Sequence, residues 1–210
     1  MWNVVGDVKC CVRAAIANNG SADEAFSVCE VQAPANVDLW RLMRQNEPMA
    51  KVVGAVDKIC KLVMNYGMES ITTGIYFGIY TDGQTEEPKP MIRVGTIWGD
   101  LEGVDDIADA TSWEGVCGVD DEAYRLPSES LVEWRRAVLR MASDISGNGL
   151  IALNYFLPMV HTGYLANSCC EELVRRKLIP EAIHARVAYG YDSGDTIELG
   201  SLTSRTFTLK

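Results

Sequence analysis

Between residues 49 and 98 the spacing of apolar residues changes from the 3.6-residue period of a helix to the two-residue period of a strand. Met49, Val52, Val53, Val56, Cys60, Val63 and Met64 recur at helical spacing, with Lys51, Lys58, Lys61 and Asn65 on the other side and Gly67 as a stop. From residue 71 onward, Ile71, Thr73, Ile75, Phe77 and Ile79 fall on one side of an alternating run, and residues 91–98 alternate similarly. A helical period does not sit as a strand, nor a strand period as a helix, so this chain must combine both. The two alternating runs predict a hairpin over about 71–98, joined by a polar connection over residues 81–90.

Most other signals read as helix. Residues 2–18 have helical spacing and stop at Asn19-Gly20, and Ser21 with Glu24 forms a capping box for a short second helix. A third is expected around Trp40 and Met43. After the acidic stretch, Ser130 with Glu133 caps a helix over residues 128–145, and the segment 150–167 is apolar nearly all round, with Pro158 expected to kink or break it. Ser168 with Glu171 reads as a third capping box, opening a helix that carries Arg175, Arg176 and Lys177 and stops before Pro180. Residues 183–191, 196–199 and 203–209 alternate as strands. The expected fold is α+β and predominantly α-helical, with about six to seven helices, a central β-hairpin (about 71–98) and a small C-terminal β element (about 183–209). One domain spanning residues 1–210 is expected, with helical lobes at 1–70 and 128–180 on either side of the hairpin and an acidic loop.

The net charge of −10 is concentrated: residues 94–124 hold nine carboxylates and no Lys or Arg. A block of this kind needs a basic partner, a cation or water. It does not follow the calcium-loop pattern, because a loop beginning at Asp100 has Glu102 at its third position but Val104 at the fifth, Asp105 where glycine is required and Thr111 at the twelfth. The candidate acidic surface is Asp100, Glu102, Asp105, Asp106, Asp109, Asp120, Asp121 and Glu122. Its candidate partner is a basic set formed by Arg135, Arg136, Arg140, Arg175, Arg176 and Lys177. Local pairing competes with that docking, since Glu171–Arg175 and Glu172–Arg176 are i,i+4 pairs in the favourable order, each worth about 0.2–0.5 kcal/mol on an exposed helix.

Seven cysteines, Cys10, Cys11, Cys29, Cys60, Cys117, Cys169 and Cys170, include two adjacent pairs and no CxxC. This spacing suits reduced core thiols better than a disulfide framework, which points to a cytoplasmic or intracellular, reducing location and away from secretion. Nucleophilic chemistry would have to use Cys169 or Cys170 with His161 or His184, the only histidines, and Glu171 and Glu172 oppose a thiolate there. His161, Cys169, Cys170 and His184 are zinc-type ligands, but adjacent cysteines on one helical turn cannot readily supply two tetrahedral vertices. No phosphate-binding glycine motif occurs. The sequence therefore assigns no catalytic, cofactor-binding or metal residues, no cofactor and no small-molecule substrate. It contains no apolar run of membrane-spanning length, and nucleic acid is left only a local Arg face.

The expectation is a non-enzymatic, self-associating structural or interaction protein, a coat-, matrix- or nucleocapsid-like assembly subunit such as a viral coat or matrix protein, forming a homo-oligomer through protein–protein contacts. Two alternatives stand beside it. One is an acidic binding module or inhibitor presenting residues 99–123 to a basic partner. The other is an enzyme with carboxylate or Cys/His chemistry. Strand addition at the hairpin or at the C-terminal run 203–210 is one route of association, set against the favoured reading of a sheet closed within the domain.

Overall fold

A computed structural model describes residues 49–68, 70–82, 89–98, 125–127, 136, 157–191 and 196–210. In chain order its elements are α1 (Met49–Tyr66), β1 (Thr72–Asp82), β2 (Lys89–Trp98), β3 (Arg125–Pro127), α2 (Leu157–Arg175), β4 (His184–Tyr191), β5 (Thr196–Thr203) and β6 (Phe207–Leu209). The strands form one six-stranded sheet in the order β3-β2-β1-β4-β5-β6. β1 pairs antiparallel with β2 and parallel with β4, and all the remaining pairings are antiparallel.

The predicted hairpin is present, with strands that run further into the polar connection than expected, to Asp82 and from Lys89. A bulge at Thr73 shifts the register between Thr72 and Gly74, and the Thr73 hydroxyl donates to the Ile97 carbonyl at 3.2 Å. Ile75, Phe77 and Ile79 share a buried face as their alternation predicts, whereas Ile71, before the strand, is 56% exposed. Tyr76, on the opposite face, is also fully buried. Its register neighbours are Gly95 on β2 and Ala188 on β4, and Gly74 and Gly78 lie two residues away on β1. The small residues leave room on that face for its ring. Both edges of β1 are hydrogen-bonded, so the hairpin is interior to the sheet and cannot add to a neighbour's sheet through β1.

The C-terminal strands are not a separate small element. β4 lies along β1, with Gly74 opposite Arg186 and Ile79 opposite Tyr191, and so continues the hairpin's sheet. Burial along β5 alternates, then changes phase between Leu199 and Gly200. Pairing moves from Val187–Gly200 to Ala188–Glu198 at that point, making Leu199 the extra residue of a bulge. Ala185, Val187, Tyr189, Ile197 and Leu202 consequently share a buried face, while Arg186, Glu198, Ser201 and Thr203 remain partly open. α2 packs on β4, β1, β5 and β6, and so covers the buried face of this sector.

α1 obeys its predicted boundary. Gly67 has a positive φ of 77°, and its N–H donates to the Val63 carbonyl at 2.7 Å. Val56, Ile59, Cys60 and Val63 are buried and Lys58, Lys61 and Asn65 are exposed, but Met64, expected in the apolar stripe, is 63% exposed. α2 departs more from expectation. It is one unbroken helix through Ser168, so the third capping box opens nothing, and Pro158 occupies its first turn, where a missing N–H costs no helical bond. From Pro158 to Cys170 nearly every residue is buried, and this enclosure holds Ser168 helical against its capping preference. The helix ends with paired bonds from Leu178 N–H to Leu173 O and from Lys177 N–H to Val174 O, both 2.9 Å, around Lys177 at φ 58°. This is a Schellman termination with lysine where glycine is usual.

The described residues therefore contain two helices and a six-stranded mixed sheet, which overturns the expectation of a predominantly α-helical fold with six to seven helices. Leu157–Arg175 is one helix across the position where a second was expected to open, and the β segments join into one sheet. The helices expected over residues 2–18, 21–31, around Trp40 and over 128–145 lie outside the described residues, apart from Arg136, which is helical.

Gly200 links β5 to the edge of the sheet, because a Cβ there would stand 2.1 Å from the Thr208 carbonyl oxygen. Gly200→Ala is expected to destabilise the fold by about 1–3 kcal/mol through overpacking against backbone, seen as a lower urea midpoint.

Candidate interaction interface

Two polar clusters and one open strand edge are the features of the described surface able to meet another molecule. The first cluster lies on the α1–α2 seam. Glu172 accepts from Arg175 Nε at 2.5 Å and from Arg176 Nε at 2.6 Å, and Arg176 Nη2 also donates to Asp57 on α1. Lys61, one turn beyond Asp57, stands 3.9 Å from it. The Arg175 and Arg176 guanidiniums, through their hydrogen bonds, hold the Glu172 carboxyl down at about 2. Arg176 likewise depresses Asp57. The predicted i,i+4 pair Glu172–Arg176 forms, whereas Arg175 pairs at i,i+3 with Glu172 in place of Glu171. Helical spacing revealed half of this cluster; Asp57 carried no such signal, because it meets Arg176 only after the two helices pack.

Beneath these ions the Cys60 and Cys169 thiols hydrogen-bond across the two helices. Cys60, Cys169 and Cys170 are unbridged and fully buried. The bond from Cys60 together with burial pushes the Cys169 thiol up, and burial pushes Cys170 up. Neither is prepared for nucleophilic attack. His161 is buried and held neutral, its pKa lowered to about 4 by burial, while His184 is exposed at the start of β4. Among the described residues no group of three His, Cys, Asp or Glu side chains is placed to hold a metal, and no helix is long and apolar enough to cross a membrane.

The second cluster is on the face of the sheet that carries Tyr76 and Ala188, at the partly exposed ends of β4 and β5. Arg186 on β4 donates two bonds of 3.1 Å to the carboxylate of Glu198 on β5, and Lys210 Nζ adds a third at 2.7 Å. These three charges satisfy one another across adjacent strands, a grouping visible only once the strand register is known.

The edge is β6. Residues 203–206 form the turn leading into it, in which Thr203 N–H donates to the Thr206 carbonyl at 2.9 Å and the Thr203 hydroxyl accepts from Thr206 N–H at 3.0 Å. At the other end Lys210 N–H donates to the Leu199 carbonyl at 3.0 Å. Because an antiparallel ladder alternates, Thr206, Thr208 and Lys210 direct their backbone groups toward β5, and the N–H and C=O of Phe207 and Leu209 point away from it. Among the described residues β6 has no strand on its far side in the sheet order. Thr208, Leu209 and Lys210 are exposed, with Leu209 at 37%.

Of the basic residues singled out from the sequence, Arg175 and Arg176 are drawn together on the seam, Lys177 is exposed at the helix terminus, and Arg136 is helical and exposed. Arg135, Arg140 and the whole acidic set (Asp100, Glu102, Asp105, Asp106, Asp109, Asp120, Asp121 and Glu122) lie outside the described residues.

Two outcomes are expected from this geometry. A group held below its ordinary pKa by folding adds stability above that value, which is lost as pH falls; Glu172 acts this way between 4.5 and about 2. His161, resisting protonation when folded, lowers stability as pH falls from 6.5 to about 4. In acid titrations followed by circular dichroism, Glu172→Gln should flatten the lower window and leave the upper one. Separately, iodoacetamide should leave Cys60, Cys169 and Cys170 unlabelled in the native chain and label all three in urea, as mass spectrometry of digests would record.

No protein-family model matches this chain, and no curated protein and no solved structure matches it either. With two helices against six strands described, the helix-rich expectation is withdrawn, and nothing in these findings supports a viral coat or matrix role.

Proposed function

We propose that this chain is a non-enzymatic interaction protein that associates with further copies of itself, using the β6 edge of its sheet. The observation that carries the reading is the outer edge of β6, which no strand flanks among the described residues. Two outward-facing backbone donors and two acceptors, at Phe207 and Leu209, accompany an exposed apolar side chain. An edge of this kind is commonly blunted by charge, by proline or by a covering segment. Here the Lys210 side chain, next to the strand's last residue, is turned onto Glu198. The Cys169 and Cys170 thiols give the reading further support, because both are buried on α2 and burial pushes both up.

A strand of three residues buries little area, so association is expected to be reversible and concentration-dependent. Multi-angle light scattering over a wide range of concentration should show the mean mass rising above that of the monomer. Leu209→Pro removes an outward N–H and spares the bonds to β5, so it should leave the circular dichroism spectrum unchanged while abolishing the rise in mass. A parent chain that stays monomeric throughout would sink the proposal.

A further inference from the structure

Resting on the reading just given, the geometry points to one register for the contact: two copies of β6 pair antiparallel about a two-fold axis through Thr208, joining two six-stranded sheets into one. Three observations lead there. The first is parity. Bonds on the β5 side use Thr206, Thr208 and Lys210, so only Phe207 and Leu209 can bond outward, and a closed pairing must match these two residues. The second is length. Residues 203–206 are committed to a turn held by the Thr203 hydroxyl, which leaves Phe207–Leu209 as the extended strand. Centring on Thr208 places Phe207 opposite Leu209 of the second copy twice, and each such pair exchanges both backbone bonds. Centring on Phe207 instead would set Leu209 against Arg205 in the turn.

The third observation is side-chain chemistry. Phe207 pairs with Leu202 and Leu209 with Gly200, so both lie on the face that α2 covers. The two-fold pairing brings one aromatic and one aliphatic side chain together at each crossing, where cross-strand apolar pairs stabilise a sheet. Lys210 falls opposite Thr206, and no like charges meet. The contact is isologous, so it closes at two copies.

At the centre, the two copies of Thr208 form a non-hydrogen-bonded pair with Cα atoms about 4.5 Å apart, inside the range a disulfide spans. The variant Thr208→Cys is therefore expected to form a disulfide between its two copies at position 208 under mild oxidation, roughly tenfold or more faster than the variant Thr206→Cys, with the bridged peptide identified by mapping. On the unmodified chain, hydrogen exchange at associating concentration should slow at the amides of Phe207 and Leu209, with no concentration dependence at Thr206. If light scattering shows association but protection and cross-linking fall elsewhere, the register is wrong and the self-association reading stands. If no association occurs at any concentration, both are wrong.

Discussion

From Gly74 to Ile79 strand β1 is buried on both faces and paired on both edges, and that enclosure is the constraint around which the rest of the fold is arranged. Its Ile75, Phe77 and Ile79 are buried on one face and Tyr76 on the other. A backbone removed from water on both faces has to find its hydrogen bonds in the sheet, so β1 requires a partner along each edge. Its antiparallel partner β2 follows after a short connection. The other, β4, lies parallel and comes from much later in the chain, directly after α2. The charged cluster of the sheet face sits on strands continuous with this ladder, whereas the seam ions join α1 to α2.

Local features of this architecture were legible in the sequence. The stripe of α1, its stop at Gly67, the alternation of β1 and β2 and the extended character of the last strands all follow from side-chain periodicity and glycine geometry. What escaped was non-local. Nothing near Arg186 announces that it will align with Gly74, so the C-terminal strands read as an appendage when they are half of one sheet. Ser168 and Glu171 satisfy the capping-box pattern, yet burial along α2 keeps the helix continuous, a case in which packing overrides a local preference. Met64 failed in the same sense: its spacing fits the stripe, but the seam is filled by Ile59 and Cys60.

The legibility of the interface divides along the same line. Arg175 and Arg176 were identified as basic groups, and Glu172 as a local partner, from helical spacing alone. Asp57 entered only through tertiary packing. The edge at β6 was visible as an alternating C-terminal run, but its outward-facing residues depend on which carbonyls the ladder uses, and sequence alone does not report that parity.

The parallel alignment of β1 with β4 also bears on the order in which the molecule can form. Contacts between residues so distant in the chain carry a large closure entropy and form late, while hairpins and helices form early. On a ribosome, α1 and the β1–β2 hairpin emerge long before β4 exists. During that interval the inner edge of β1, apolar and unpaired, is a template for any other strand, including that of a neighbouring nascent chain. The native sheet therefore depends on β4 reaching β1 before another strand does, which makes the late segment 184–203 a kinetic guardian of the early one.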